Sequence, residues 1–267
     1  LGHNVVVPPP PVPPPLPPRA PASERCLRLR FGFAKTGDLA LISHLDTLRL
    51  LERALRRSGL PVSFSAGFHP LPRLQLALPL PLAVEGLGEW LDLEFAVAIE
   101  PEQARERLQA ELPAGLALRS VQAVPLQGPS LSQELRAAQW TFVLLPAPPT
   151  SGQPGAVAVA PAAAWPAEER WQAAIAALLA NDSLLWQDTD KKGRPRSRAC
   201  RPYLLSLGLD RLSPDVEIAA AELCFTAAID PMGRSLRPEQ LRSWLGRELG
   251  VDLRLGRMRR LALLLAA

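Results

Sequence analysis

A chain of 267 residues with 48% apolar side chains and a formal charge of +4 has material for one large or two small cores, and a mild preference for anionic partners. Its three cysteines, Cys26, Cys200 and Cys224, show no paired spacing. That excludes a disulfide framework and a zinc-ligand pattern, and fits a reducing, cytoplasmic compartment. No apolar run reaches the roughly eighteen residues a membrane span needs, and no signal peptide is visible.

Pro8 to Pro21 holds ten prolines in fourteen positions. Such a stretch favours an extended polyproline II spacer of roughly 40 Å, at about 3.1 Å per residue. Residues 1–24 are therefore expected to be a disordered linker, reaching back to an upstream domain because no initiator methionine is present. A proline-rich ligand for a partner is the alternative.

Order is expected from Cys26. Leu27, Leu29, Phe31 and Phe33 alternate with Arg28, Arg30 and Gly32, which predicts a strand with one wet face. Ser43 as N-cap, Asp46 three residues on and Gly59 as a stop predict a helix between them. Leu45, Leu48, Leu51 and Leu55 form its buried stripe, and Arg49, Arg53, Arg56 and Arg57 occupy other faces. The Gly/Pro-rich run Ser65 to Arg73 predicts an ordered loop. Arg73–Leu80 and Glu89–Ile99 read as strands joined by a turn at Glu85–Gly88, with Leu91, Leu93, Phe95 and Val97 facing in. A helix from Pro101 to about Leu112 and a strand Leu116–Val124 complete the unit.

That order, strand–helix–strand–strand–helix–strand, predicts a ferredoxin-like (βαββαβ) domain over residues 25–128. After a connector at Gly128–Ala138, a second series follows. It comprises a strand Gln139–Leu145, a low-complexity loop Pro146–Pro166 and a helix Ala167–Asn181 with Trp171, Ile175, Leu178 and Leu179 inward. Next come a hairpin of Ser183–Asp188 with Arg196–Ala199, a short helix Arg201–Leu207 and a strand within Val216–Ile229. A helix Arg237–Gly250 and a strand Val251–Leu265 close the chain. The fold class is thus α+β, two tandem ferredoxin-like units, the second (residues 129–267) degenerate.

His44 and His69 are the candidate proton-transfer groups, since imidazole titrates near neutrality. His44, at a helix N-terminus, has its imidazolium disfavoured by the positive dipole end; it is the one catalytic candidate. Lys191, Lys192, Arg194, Arg196, Arg198 and Arg201 face only Asp188 and Asp190, a net +4 in fourteen residues. A turn of that composition is a natural phosphate contact, or simply a solvated hairpin tip. Of thirty basic residues only three are lysines; arginine suits bidentate phosphate recognition, but a GC-rich coding bias is the favoured explanation of the excess. The candidate RNA- or anion-binding set is Lys35, His44, Arg53, Arg56, Arg57, His69, Arg73, Lys191, Lys192, Arg194 and Arg201. No metal set or cofactor is expected, because His44, Asp46 and His69 match no ligand spacing and no nucleotide loop or nucleophile motif is present.

Lys35, Gly37, Ser43–Asp46, Arg53, Arg56, Arg57, Pro61, Ser65, Gly67–Pro70 and Pro72–Arg73, continued by Pro79–Pro81, Glu89 and Asp92, resemble the signature of an uncharacterised radical-SAM-associated domain family. Lys191–Gly193 and Arg201–Pro202 resemble further positions of it. The family occurs fused behind a radical SAM enzyme or encoded beside one, which implies a radical SAM partner, upstream or separate. The CxxxCxxC cluster motif of such an enzyme is absent from this chain. With the basic loops this gives a non-catalytic RNA-binding module that presents substrate to that partner. Paired ferredoxin-like units also resemble CRISPR-type RNA-processing endoribonucleases, which implies a rival: a metal-independent nuclease with His44 as acid/base. A protein-interaction scaffold without nucleic acid is the third reading.

Overall fold

Alternation sets the centre of the first half. Leu29, Phe31 and Phe33 of β1 (Leu27–Lys35) point into a core, while Arg28 and Arg30 point the other way. The expected wet face is not wet: Arg28 and Arg30 are 6% and 3% exposed. The connector after β4 folds over them, and its carbonyls and Glu134 take their N–H groups. The computed structural model that shows this describes residues 25–66, 68–148, 165–189, 194–213 and 219–266. The proline-rich head, most of the low-complexity loop, Gly67 and the hairpin tip with Lys191 and Lys192 lie outside the described residues, and so do the expectations placed on them.

The chain is a mixed α+β protein on one mostly antiparallel sheet. After β1 come α1 (His44–Ser58), β2 (Leu74–Leu76), β3 (Val84–Phe95), α2 (Pro101–Gln109), β4 (Leu116–Val124), a single turn α3 (Leu131–Glu134) and β5 (Leu135–Pro146). Then follow α4 (Glu168–Ala180), a hairpin of β6 (Leu185–Thr189) and β7 (Pro195–Ala199), β8 (Leu204–Ser213), β9 (Ala220–Ala228), α5 (Pro238–Leu249) and β10 (Leu253–Leu265). The sheet runs β4–β1–β3–β10–β5–β9–β8, with β2 also paired to β3. β3 is shared: its Leu91–Leu93 end pairs with β2, and its Val84–Gly86 end pairs with β10, the one parallel contact among the described residues. Two apolar clusters result. One joins Leu29, Phe31, Leu91, Leu93 and Phe95 to Leu51, Leu55 and Leu108 of α1 and α2. The other joins Trp140, Phe142, Leu223 and Phe225 to Trp171, Leu178, Leu241 and Trp244 of α4 and α5. Each such fully buried side chain contributes roughly 1.5–3 kcal/mol.

α1 begins and ends where its caps predict. The Ser43 hydroxyl accepts from the Asp46 N–H at 3.2 Å, and Gly59 closes the helix in the left-handed region at φ 61°. Its buried side is Thr47, Leu51, Ala54, Leu55 and Ser58, with Leu48 half-buried. Leu45, expected in that stripe, is 62% exposed, because the first turn presents His44 and Thr47 to the interior instead.

Several expectations are corrected. The strand expected at Arg73–Leu80 shrinks to the three residues of β2, since Pro70, Pro72, Pro79 and Pro81 remove ladder donors around it. There is no turn at Glu85–Gly88; β3 passes straight through it. Those glycines make room, since a Cβ on Gly88 would lie 2.5 Å from the Leu261 carbonyl oxygen. Val97 lies past the strand end and is 59% exposed, and α2 stops at Gln109. β5 starts at Leu135 inside the expected connector. The helix expected at Arg201–Leu207 is one 3-10 turn, after which the chain is captured as β8 by pairing with β9.

The turn after β9 carries a testable electrostatic feature. Asp230 accepts from the Met232 and Arg234 N–H groups, the Arg234 Nε and the Tyr203 hydroxyl, at 2.7–2.9 Å. Desolvation opposes the carboxylate, but these bonds outweigh it and hold the pKa at about 2. A depressed carboxylate stabilises the fold above its unfolded value near 3.9 and loses that contribution as pH falls toward 2. Asp230→Asn should therefore lower the thermal midpoint at pH 5, and the gap to wild type should close by pH 2. A gap constant over that window would remove Asp230 from the acid response.

Candidate functional site

Three strands bring charge to the seam between the two cores. Lys35 at the end of β1 lies opposite Gly86 of β3, and Gly86 lies opposite Arg260 of β10. Gly86 has no side chain, and Glu89 folds into the space: a Cβ there would meet the Glu89 Cγ at 2.7 Å. Arg260, 1% exposed, clamps Glu89 with Nε–Oε1 at 2.8 Å and Nη2–Oε2 at 2.6 Å. It also donates to the Leu78 and Pro79 carbonyls at 3.0 and 3.2 Å, and stacks its guanidinium 5.5 Å from the Trp140 ring centre. Lys35, 2% exposed, donates to the Ile42 carbonyl at 2.9 Å. The start of α1 roofs the site with His44 and Thr47, and Leu76, Leu78 and Leu80 wall it. The enclosed space is about 10 Å³, room for about one water molecule. Ala83, just beyond this wall, holds φ at 62°, a strained value for a residue with a Cβ.

Two cations face one carboxylate here, leaving one net positive charge in a desolvated place. Burial lowers the Lys35 pKa; Glu89 pulls it back up and Arg260 pushes it further down. His44 is lowered by burial first, then by the charges of Lys35 and Arg260. Its ring is therefore neutral at pH 7, with one donor and one acceptor nitrogen, and has no hydrogen-bond partner among the described residues. Such a site can hold an anionic oxygen against Lys35 or move a proton at His44.

The other candidates are dispersed. Arg57 is engaged by Glu111, with Nε–Oε2 at 2.8 Å, whereas Arg53 and Arg56 are exposed on the outer side of α1. Arg73 sits on the opposite sheet face, bonded to the Phe64 carbonyl at 3.3 Å, in a groove with Arg25 and Arg28. His69 is exposed in the Ser65–Arg73 loop, which Ser65 N–H to Leu71 carbonyl closes at 2.9 Å. Arg201 holds the Leu204 and Leu179 carbonyls at 2.8 and 2.9 Å, a structural task. Arg194 is exposed at the start of the β7 arm. So Lys35 and His44 come together, and the other candidates among the described residues do not join them; Lys191 and Lys192 lie outside the described residues.

Arg260 and the clamp on Glu89 were not legible as site residues. Arg260 lies 171 positions from Glu89, in an arginine run at 257–260 that reads as a solvated edge. Strand period was the available signal, since it separates Arg260 from Arg259, which pairs with Glu85 at 3.0 Å. Among the described residues no three His, Cys, Asp or Glu side chains converge as a metal site would need, and no helix is long and apolar enough to cross a membrane.

Fold and site together define an α+β protein with a buried, net-positive ionic cluster where its two cores meet. The profile of a family described as an uncharacterised protein conserved in bacteria (DUF2344) matches residues 28–238, and the chain belongs to that family. No curated protein matches the sequence. Among solved structures, a chain of a Cbf5-Nop10-Gar1 complex is similar at 10% identity and a TM-score of 0.42, over 86% of this chain and 48% of that one. The present chain thus spans about half the length of that chain.

Proposed function

We propose that the protein is a non-catalytic, cytoplasmic RNA-binding module that presents substrate to a radical SAM partner. The partner is inferred from the resemblance of Lys35, His44, Pro79–Pro81 and Glu89 to the radical-SAM-associated signature. The observation that supports an anionic ligand is the convergence of those same residues on one net-positive seat with His44 at its mouth. The supporting architecture is a tandem ferredoxin-like one, divided near residue 128: the strand orders β4–β1–β3–β2 and β10–β5–β9–β8 repeat one pattern.

Binding of a single-stranded RNA across a salt series tests the reading. Each phosphate contact contributes about −0.7 to the slope of log affinity against log salt. If Arg53 and Arg56 track the backbone, Arg53→Gln/Arg56→Gln should flatten the slope by about 1.4. No measurable RNA affinity at low salt would sink the reading and leave the scaffold.

A neutral, unpartnered His44 beside a buried cation also favours the metal-independent nuclease, which needs a base and a charge near the reacting phosphate. Metal-free incubation separates the two. The module leaves RNA intact; cleavage abolished by His44→Ala with affinity retained would make it the nuclease.

A further inference from the structure

The seat can be read more narrowly than as a basic spot on an RNA track. Lys35 uses one of its three N–H groups, on the Ile42 carbonyl, and the clamp on Glu89 comes from Arg260, through both oxygens. Lys35 therefore lies 2% exposed with donors to spare, against a space that admits one oxygen-sized atom. His44 stands beside that space with a free donor nitrogen. The negative groups nearby are engaged: Glu89 by Arg260, Asp46 by Ser43 and Arg49, and Glu85 by Gly37 and Arg259. Leu76, Leu78 and Leu80 wall the space; near these lining residues in sequence, Leu41, Leu45 and Leu82 are 62–65% exposed, and the Ala83 N–H to Ala40 carbonyl bond at 2.9 Å pins the Leu82 loop beside Leu41.

We propose that this seat recognises a terminal phosphate monoester, one oxygen entering beside Lys35 while His44 takes a second. The proposal rests on the RNA-binding reading for its ligand's source and deepens it to end recognition. The geometry disfavours an internal phosphodiester: with room for one oxygen beside Lys35 and the apolar wall of Leu76, Leu78 and Leu80 next to it, two flanking riboses would have to approach at once. A chain end brings one ribose, and its phosphate carries about −1.5 to −2 charge at pH 7 rather than −1. That charge restores what Lys35 and Arg260 take from His44, so binding should draw a proton onto the imidazole.

The test uses a ten-nucleotide single-stranded RNA prepared with a 5′-phosphate, with a 3′-phosphate, or with hydroxyls at both ends, and a nucleoside 5′-monophosphate as a fourth probe. One phosphorylated end should bind at least tenfold more tightly than the hydroxyl form, and Lys35→Met should erase the difference. Lys35→Met leaves the neutral Arg260–Glu89 pair in place, so it should fold; its thermal midpoint checks this. Arg53→Gln/Arg56→Gln should weaken all the RNAs alike and keep the end preference. Calorimetry in two buffers of different ionisation enthalpy should show proton uptake that His44→Ala abolishes. Equal affinity for all three RNA ends would overturn the end-recognition proposal while leaving RNA binding intact. Binding of the monophosphate through Lys35 without binding of any RNA would keep the seat and overturn the RNA reading. Binding of neither overturns both.

Discussion

Glu89→Gln is expected to destabilise the protein by about 3–5 kcal/mol at neutral pH, because it leaves buried charge without its partner. The carboxylate is clamped by Arg260 and acts electrostatically on Lys35, the two cations being 1% and 2% exposed, and an amide in its place leaves two desolvated cations that repel each other. Removing a cation instead should cost less. Arg260→Met strips the Leu78 and Pro79 carbonyls of a donor but leaves Lys35 to balance Glu89. The order of the two losses is therefore diagnostic. Lys35→Met added to Glu89→Gln should restore much of the stability, since one buried guanidinium holding an amide and two carbonyls is a smaller burden. The loss should also shrink as pH rises. A buried lysine with a lowered pKa destabilises the fold while charged, and that burden lifts as pH climbs through its folded value. Urea unfolding of the two singles and the double decides the matter. If Glu89→Gln costs less than Arg260→Met, or Lys35→Met fails to rescue it, the charge count at the seam is wrong.

Asp92→Ala is expected to cost a similar amount, about 3–5 kcal/mol, on the opposite sheet face. Its oxygens hold Arg28 Nε at 3.0 Å and Arg30 Nε and Nη2 at 2.8 and 3.0 Å. Burial works against the Arg30 charge, but the bonds to Asp92 and Glu134 outweigh it and raise its pKa. Without Asp92, both guanidiniums stay under the connector with only Glu134 as counter-charge. Glu134, whose side chain is 20% exposed, is the control: water reaches it, and Glu134→Gln should cost about 1 kcal/mol or less. Equal losses from the two substitutions, measured by the same unfolding curves, would show that Asp92 is not the central counter-ion of the cluster.

The strong local signals reached the structure almost unchanged. Ser43 and Gly59 bound α1 because capping and a left-handed stop act within a few residues. The strands at Leu27 and Leu116 and the β6–β7 pairing follow in the same way from short-range alternation and turn chemistry. Local pattern failed where a distant partner decides. Gly86 and Gly88 signal a turn by composition, yet they lie in a strand because Glu89 and β10 need the space a side chain would fill. Arg201–Leu207 reads as a short helix, yet from Leu204 onward β9 offers the chain a ladder and it becomes strand.

Periodicity and local chemistry by themselves determined that this is an α+β chain with His44 at the start of a capped helix, while Lys35 was marked by the resemblance of its surroundings to a family signature. Only the tertiary structure decided which charges share a site. An arginine's partner is set by which strands become neighbours, and β3 pairs with β10 across more than 160 positions of sequence. That pairing places Arg260 over Glu89 and leaves Lys35 as the unbalanced charge, whereas Arg73, equally basic in sequence, is turned to the far side of the sheet. Charge type is written locally; burial and counter-charge, which fix what a charge can do, arise only when the strands meet.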